Sequence, residues 1–438
     1  NYTRSHFHFR EFNCSFAQIK ITMAVLFKSL QLITDTEISK PADYFFNGEF
    51  ISNVLPNEEQ DVEIIDCAGL FASKGWVDLK CFNGEPGLEH KEDLQSLNEA
   101  LSISGFSKAV LLPNTVPSVQ SKNEVEFIRN KSKYFFSDIV IQASVTHNNQ
   151  GDDLTEILDL HHHGVNVFGD GLTPISNSDR LMKVLQYLQK FDGILFDNSY
   201  DPLLAIFGQM HEGNVSTRLG LKGIPALAEE VAVQKNLEIL RYAGGNIHFQ
   251  TISTAGAVRM IREAKEEGLS VTADVSIYQL LFSEDDLVTF DTNMKVAPPF
   301  RGEQDRNALI EGLKDGTIDA IVSNHRPHDM DAKHIEFDYA SDGMLGLQTF
   351  LPGLVKLSDE LTWPLLIKKI TSGPLKVLRE QNDSEALQSL TIFNPEENWI
   401  YDRKTNKSLS SNSPWWGQNL LGKVRYVING SKFLRFDK

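Results

Sequence analysis

Cysteine is scarce: Cys14, Cys67 and Cys81 are the only three in 438 residues. They are too few and too scattered for a disulfide framework or a cysteine-rich zinc site, which fits a reducing, cytoplasmic setting. Basic residues are also short, 42 Lys and Arg against 59 Asp and Glu, for a formal net charge of −17. A phosphate backbone attracts clustered cations and repels such a surface, so nucleic acid is not an expected partner. No stretch approaches the roughly 20 consecutive apolar residues that span a bilayer, and no membrane association is expected. Residues 1–22 mix Arg, His, Asn and Phe without the apolar core of a signal peptide, and are expected to form a disordered leader ahead of Met23. Fixed-period repeats and low-complexity tracts are lacking too. With 41% hydrophobic and 23% charged residues the chain is of ordinary globular composition, so its function has to be read from local motifs.

Short apolar runs separated by turn residues fill both ends. Residues 24–27, 44–50 and 62–65 read as strands near the start, and 390–393, 399–401 and 424–428 near the finish, with turns at Asn394-Pro395 and Asn429-Gly430. Between them, β-rich runs at 109–112, 139–143, 165–168, 193–196, 246–251, 270–273 and 320–322 alternate with helical patterns. One helix follows Ser253-Thr254-Ala255, carries Val258, Ile261, Ala264 and Lys265 at helical spacing, and stops at Gly268. Such alternation means βα units around a parallel sheet. Counting a unit that begins at Gly75-Trp76-Val77, about eight fit, which favours a closed barrel. The expected fold is therefore α/β: a (β/α)8 TIM-like barrel over 76–378, with a small β-rich module composed of 23–75 and 379–438.

Four motifs then stand in order along the barrel. Asp78-Leu79-Lys80-Cys81-Phe82-Asn83-Gly84-Glu85-Pro86-Gly87 resembles the first signature of the dihydroorotases, an Asp followed by two His one residue apart and then Leu-Arg-Glu-Pro-Gly. Leu112-Pro113-Asn114-Thr115 resembles their Met-Pro-Asn-Thr, and Lys295-Val296-Ala297-Pro298-Pro299-Phe300-Arg301 their Lys-Val-Asn-Pro-Pro-Leu-Arg. The run from Asp315-Gly316-Thr317 to Ser323-Asn324-His325-Arg326-Pro327-His328 resembles a segment ending Thr-Asp-His-Ala-Pro-His. Each is weak alone; together, over residues 65–378, they are specific. On these motifs the chain is identified as a member of the dihydroorotase group of amidohydrolases, with the barrel fold and composite flanking module that membership implies.

The resemblance also implies a chemistry. Opening a cyclic amide near neutral pH needs a hydroxide and a Lewis acid, and family members supply both with zinc held by His and carboxylates. Here the two His of the first strand are Lys80 and Phe82. A His-Cys-Glu-Asp motif appears as Asn198-Ser199-Tyr200-Asp201, and His-x-x-His-x-Ser-Thr as His248-Phe249-Gln250-Thr251-Ile252-Ser253-Thr254, so further His positions hold Asn198 and Thr251. The general base is Asn324, an amide that cannot take up the water proton. Of the family's Asp-Asp-Gly run, Gly169-Asp170-Gly171 keeps one acid. The substrate-binding Arg of the first signature is Gly84.

The expectation is a protein that binds no metal cofactor and catalyses no hydrolysis, with a remnant pocket of Asp78, Lys80, Asn114, Asp170, Asn198, Thr251 and His325. Inactive relatives of this kind assemble with aspartate carbamoyltransferase, which makes that enzyme the expected partner; a homo-oligomer is left open. The rival expectation is an active cyclic-amide hydrolase with an altered metal site built from Asp170 with His325 or His248. Lys80 either neutralises Asp78 or Asp170 in place of the metal or points into a water-filled mouth. His161-His162-His163 reads as a helix end rather than a metal tract, and Trp415-Trp416 as core or an edge of the terminal module.

Overall fold

The computed structural model describes residues 24–53, 62–380 and 387–436. The leader and Met23 lie outside the described residues. Strands β1 (Ala24–Leu32), β2 (Ala42–Phe46), β3 (Ile51–Ser52), β4 (Val62–Asp66) and β5 (Phe71–Ser73) precede the barrel. The expected single run over 44–50 is split between β2 and β3, because Asn47 and Gly48, the latter at φ 96°, make a turn.

Eight strands then alternate with helices: β6 (Trp76–Cys81), β7 (Phe106–Leu111), β8 (Asp138–Ala143), β9 (Val167–Phe168), β10 (Ile194–Asp197), and, after a short ribbon of β11 (Met210–His211) and β12 (Gly223–Ile224), β13 (Ile247–Phe249), β14 (Val271–Ser276) and β15 (Ala320–Val322). The eight lie in sequence order from β6 to β15 and pair in parallel. The first and last meet through a parallel bridge between Cys81 and His325, where Phe82 N donates to His325 O at 2.9 Å, and this closes the barrel.

The strands carry few polar interruptions because both faces are covered, one by the barrel interior and one by helices. Val77, Leu79, Val110, Val167, Phe196 and Val322 form one apolar cluster drawn from strands all round the barrel. Helix Ala255–Glu266 shows why the outer layer forms. Thr254 Oγ1 accepts from Ala257 N at 3.1 Å as its N-cap, and Val258, Ile261 and Ala264 are buried while Lys265 reaches the edge to pair with Asp319 at 2.6 Å.

Strands β16 (Ser389–Ile400), β17 (Asn419–Asn429) and β18 (Lys432–Arg435) complete the chain. Thr391, Ile392 and Phe393 pair antiparallel with β5, so both terminal segments share one sheet, around Val25, Phe27, Phe46, Ile392 and Ile428. Asn429-Gly430 makes the turn into β18, but Asn394-Pro395 does not interrupt β16: it sits where the ladder with β17 shifts register, a place that tolerates the missing proline N–H. Trp415, in the connection from β16 to β17, is buried against Phe282 with ring centroids 5.2 Å apart, whereas Trp416 is half-exposed against Tyr401. His161 and His162 do end a helix, Ile157–His162, with the His161 ring stacked 3.8 Å from Phe191.

Candidate functional site

Active centres of such barrels sit where the strands end in their C-terminal loops. The residues named from the motifs are there, in three separate groups rather than one pocket. Lys80, Asn198 and Thr251 form the first. The lysine is 1% exposed and its ammonium donates to Thr251 Oγ1 at 2.7 Å and Asn198 Oδ1 at 3.3 Å. Thr251 has φ 51° and is fixed by its own N–H, which donates to Asp274 Oδ1 at 2.6 Å. Asp274 Oδ2 holds His248 Nε2 at 2.9 Å, and His248 Nδ1 lies 2.9 Å from Thr272 Oγ1. Neither expectation for Lys80 holds: it forms no ion pair with Asp78 or Asp170, nor does it extend into water. Burial pulls its pKa down to about 8, partly offset by the Asp274 charge.

Asp78 and His325 form the second group, around Ser323. Asp78 Oδ1 accepts from Ser323 N at 3.0 Å and Oδ2 accepts from Ser323 Oγ, so the acid stitches the first strand to the end of the eighth. Burial pushes its pKa up to about 7 against these hydrogen bonds. His325 N donates to Ser323 Oγ at 3.1 Å; its ring faces Glu92, Nε2 to Oε2 at 3.5 Å, while Nδ1 accepts from Gly346 N at 3.3 Å.

Asn114 and Asp170 form the third. Asp170 accepts from Val145 N at 2.9 Å, Thr146 N at 3.0 Å and Thr146 Oγ1 at 2.5 Å, with its pKa pushed up to about 6 by burial. Asn114 binds backbone on either side of it, donating to Asp170 O at 3.1 Å and accepting from Leu172 N at 2.9 Å. The altered metal site imagined from Asp170 with His248 or His325 is therefore not assembled, since each of the three faces different partners. Among the described residues no group of three or more His, Cys, Asp or Glu is placed to hold a metal ion.

Asn324, at φ 44°, donates through Nδ2 to Tyr278 Oη. Phe82 is buried at the second lost His. An ammonium, a phenyl ring, two amides and a hydroxyl thus stand at positions that would have to supply anionic or imidazole donors, and the residues present do not fit a zinc ion. Gly84 is altered beyond its missing side chain. A Cβ there would lie 2.3 Å from Leu88 O and 2.4 Å from Glu92 O, because the loop has folded in over the position and Gly84 N donates to Glu92 O at 3.0 Å.

Comparison with known proteins agrees with the barrel and its motifs. A family model described as "Dihydro-orotase-like" matches residues 71–257. A dihydroorotase of Syntrophus aciditrophicus is 36% identical over 386 residues, 86% of this chain and 91% of that protein. The chain belongs to the dihydroorotase-like family. A second dihydroorotase, from Caldanaerobacter subterraneus subsp. tengcongensis, is 32% identical over 413 residues, 93% of this chain and 96% of that protein. Among solved structures, an L-hydantoinase from Arthrobacter aurescens superposes with a TM-score of 0.79 at 20% identity, over 93% of this chain and 95% of that one. A dihydropyrimidinase from Brevibacillus agri gives 0.77 at 16%, over 94% and 95%, so both share the amidohydrolase fold.

Several residues of this dihydroorotase-like mouth escaped the sequence reading. Glu92 is fully buried and accepts from Ser96 Oγ, Ser408 Oγ and, at 3.3 Å, Leu409 N. Asn412 donates to Arg326 O at 3.0 Å and Gly343 O at 3.2 Å and accepts from His328 N at 3.0 Å. The connection from β16 to β17 thus grips the loop after the last barrel strand, 69 to 86 positions away, and Glu92 after the first, 316 and 317 positions away, contacts that no local pattern announces. Glu229 accepts from Ser253 N, Thr254 N and both their hydroxyls at 2.5 to 2.9 Å, and Arg301, from the Pro-Pro-Phe-Arg motif, braces the same Ser253 at 3.1 Å. Asp274 and Arg326 did have a signal: the first directly follows the strand read over 270–273 and falls inside β14, and the second replaces the Ala of a quoted motif.

Proposed function

We propose that this is a non-catalytic dihydroorotase-like protein of pyrimidine biosynthesis, cytoplasmic, acting as a structural or regulatory partner of aspartate carbamoyltransferase. The observation that carries the reading is Lys80, whose ammonium occupies the ground between the first, fifth and sixth strand ends and is held there by Thr251 and Asn198. A protonated amine cannot ligate a cation and repels one, and Asn324, bonded to Tyr278, has no basic atom for a proton of attacking water. Relatives named dihydroorotase support the pathway; the donor set supports the loss of turnover.

The experiment is a carbamoyl-aspartate cyclisation assay on protein supplied with zinc, read beside elemental analysis and beside co-purification with the transcarbamoylase. The expected outcome is no turnover, no stoichiometric zinc and a stable complex. Turnover at about one zinc per chain would refute the non-catalytic reading, and absence of a complex would refute the partnership.

A further inference from the structure

A cavity of about 290 Å3 lies where the terminal module meets the outer helices of the barrel, and it shares no lining residue with the mouth. Its floor is apolar. Leu347 precedes helix Phe350–Leu357 and Leu351 belongs to it, Val424 comes from β17, and Phe436 is placed by its N–H, which donates to Arg425 O at 2.9 Å. Trp399 of β16 forms one wall, fixed by an indole N–H that donates to Gly422 O at 2.8 Å. Gly422, at φ 101°, lets β17 settle on the helix, since a Cβ there would lie 2.9 Å from Val355 Cγ2 and 3.1 Å from Leu351 Cγ.

The rim is basic. Lys404, Lys407, Lys423 and Arg435 line it and, among the described residues, no Asp or Glu does, in a chain of net charge −17. Lys423 pairs with Glu397 at 3.3 Å and Arg435 with Glu63 at 2.8 Å. Lys404 and Lys407 are exposed, and their ammonium groups make no hydrogen bond or ion pair with any described residue. Their backbone is nevertheless held: Lys404 N donates to Asp402 Oδ1 at 2.8 Å, Lys407 N donates to Gln348 Oε1 at 2.6 Å, and Gln348 Nε2 donates to Thr405 O at 2.9 Å. A second cavity, at the N-terminal ends of β10 and β13, differs in that Lys265 and Asp319 both line it and neutralise each other at 2.6 Å. Uncompensated positive charge above an apolar floor is complementary to a flat ring that carries an anion.

We propose that this cavity binds a nucleoside monophosphate, with its base on the apolar floor beside Trp399 and its phosphate at Lys404 and Lys407. Every base has a face that packs on aromatic and apolar groups, and a lysine ammonium is a compact charge suited to phosphate. The volume, near the lower end of the roughly 300–1,000 Å3 of small-molecule sites, admits one nucleotide, whereas a longer polyanion would meet the acidic surface beyond the rim. The segment that presents the two lysines continues into Ser408, Ser410 and Asn412, which bond Glu92, Lys91 O at 2.7 Å and Arg326 O at 3.0 Å. The ligand therefore rests on the connection that grips the mouth loops, and the site stands whether or not the mouth is catalytic.

Calorimetric titration of the full chain at constant ionic strength tests it, with adenosine monophosphate, adenosine and ribose phosphate as probes. The nucleotide should bind, and adenosine, which lacks the charge, and ribose phosphate, which lacks the ring, should each bind at least about tenfold more weakly. Lys404→Gln with Lys407→Gln should weaken the nucleotide at least about tenfold and, having no side-chain partner to lose, should melt like the parent. Lys190→Gln with Lys314→Gln, which removes the same charge from two exposed lysines elsewhere, should leave the affinity unchanged. Bound nucleotide should slow amide exchange over residues 404–408 and 433–436. No binding at about 10 mM, equal affinity for adenosine or for ribose phosphate, or the same affinity in the two double variants would overturn the site. The cyclisation assay reads catalysis separately, so loss of either conclusion leaves the other standing.

Discussion

The acids and the cations of the barrel mouth live under different rules. Asp78, Asp170 and Glu229 each accept several hydrogen bonds, from Ser323, from Val145 and Thr146, and from Ser253 and Thr254; the first two tie one strand end to another, and Glu229 ties the start of helix Leu227–Ala243 to the loop after β13. Lys80 has two neutral acceptors and Arg326 none from its side chain. The contrast separates side chains that knit the strand ends together from side chains that do not: Asp78, which closes the barrel seam, is held by several donors, whereas Lys80 takes little part in that network.

The largest effect should come from the acidic side. Asp78→Ala leaves the Ser323 N–H and hydroxyl unpaired inside the barrel and opens a void, and should destabilise the protein by about 2–4 kcal/mol in urea denaturation. A change within about 0.5 kcal/mol would mean that the seam does not need this acid, and the comparison would break. On the cationic side, Lys80→Met removes two hydrogen bonds but also relieves a buried charge that has no ion-pair partner. Its stability at pH 7 should stay within about 1.5 kcal/mol of the parent, since a side chain of similar length fills the space. A loss of about 3 kcal/mol or more would show that a carboxylate does hold the ammonium.

The smallest and most diagnostic effect is in pH. Burial holds Lys80 near 8 in the folded protein against an ordinary 10.5, so between those values the unfolded chain carries more protons than the folded one. Folding stability should therefore gain from this lysine as pH rises from 8 to 10.5, by at most about 1.4 kcal/mol per pH unit. Denaturation curves at pH 8, 9 and 10 should show a shallower rise in Lys80→Met than in the parent. Parallel curves would mean that the amine is hydrated after all.

The barrel was legible because its signals are local. The alternation of β-rich and helical runs, the cap at Thr254 and the stop at Gly268 are each decided within a few residues. The losses at Lys80, Phe82, Asn198, Thr251 and Asn324 were legible for the same reason, being single positions inside recognisable motifs. What those side chains then touch was not. Lys80 was expected to face Asp78, two residues away and on the same face of an ideal strand, but across a register shift in β6 the two side chains meet different partners, 118 and 171 positions downstream for the lysine and 245 for the acid. The burial of Glu92 beneath residues 408 and 409 is equally invisible before folding.

The loop over Gly84 makes that glycine a keystone of the mouth. Any side chain there, the arginine of the first signature included, would drive its Cβ into the carbonyls of Leu88 and Glu92, so the loop admits a substitution only by moving. Position 84 and the turn from Leu88 to Glu92 can therefore change only together.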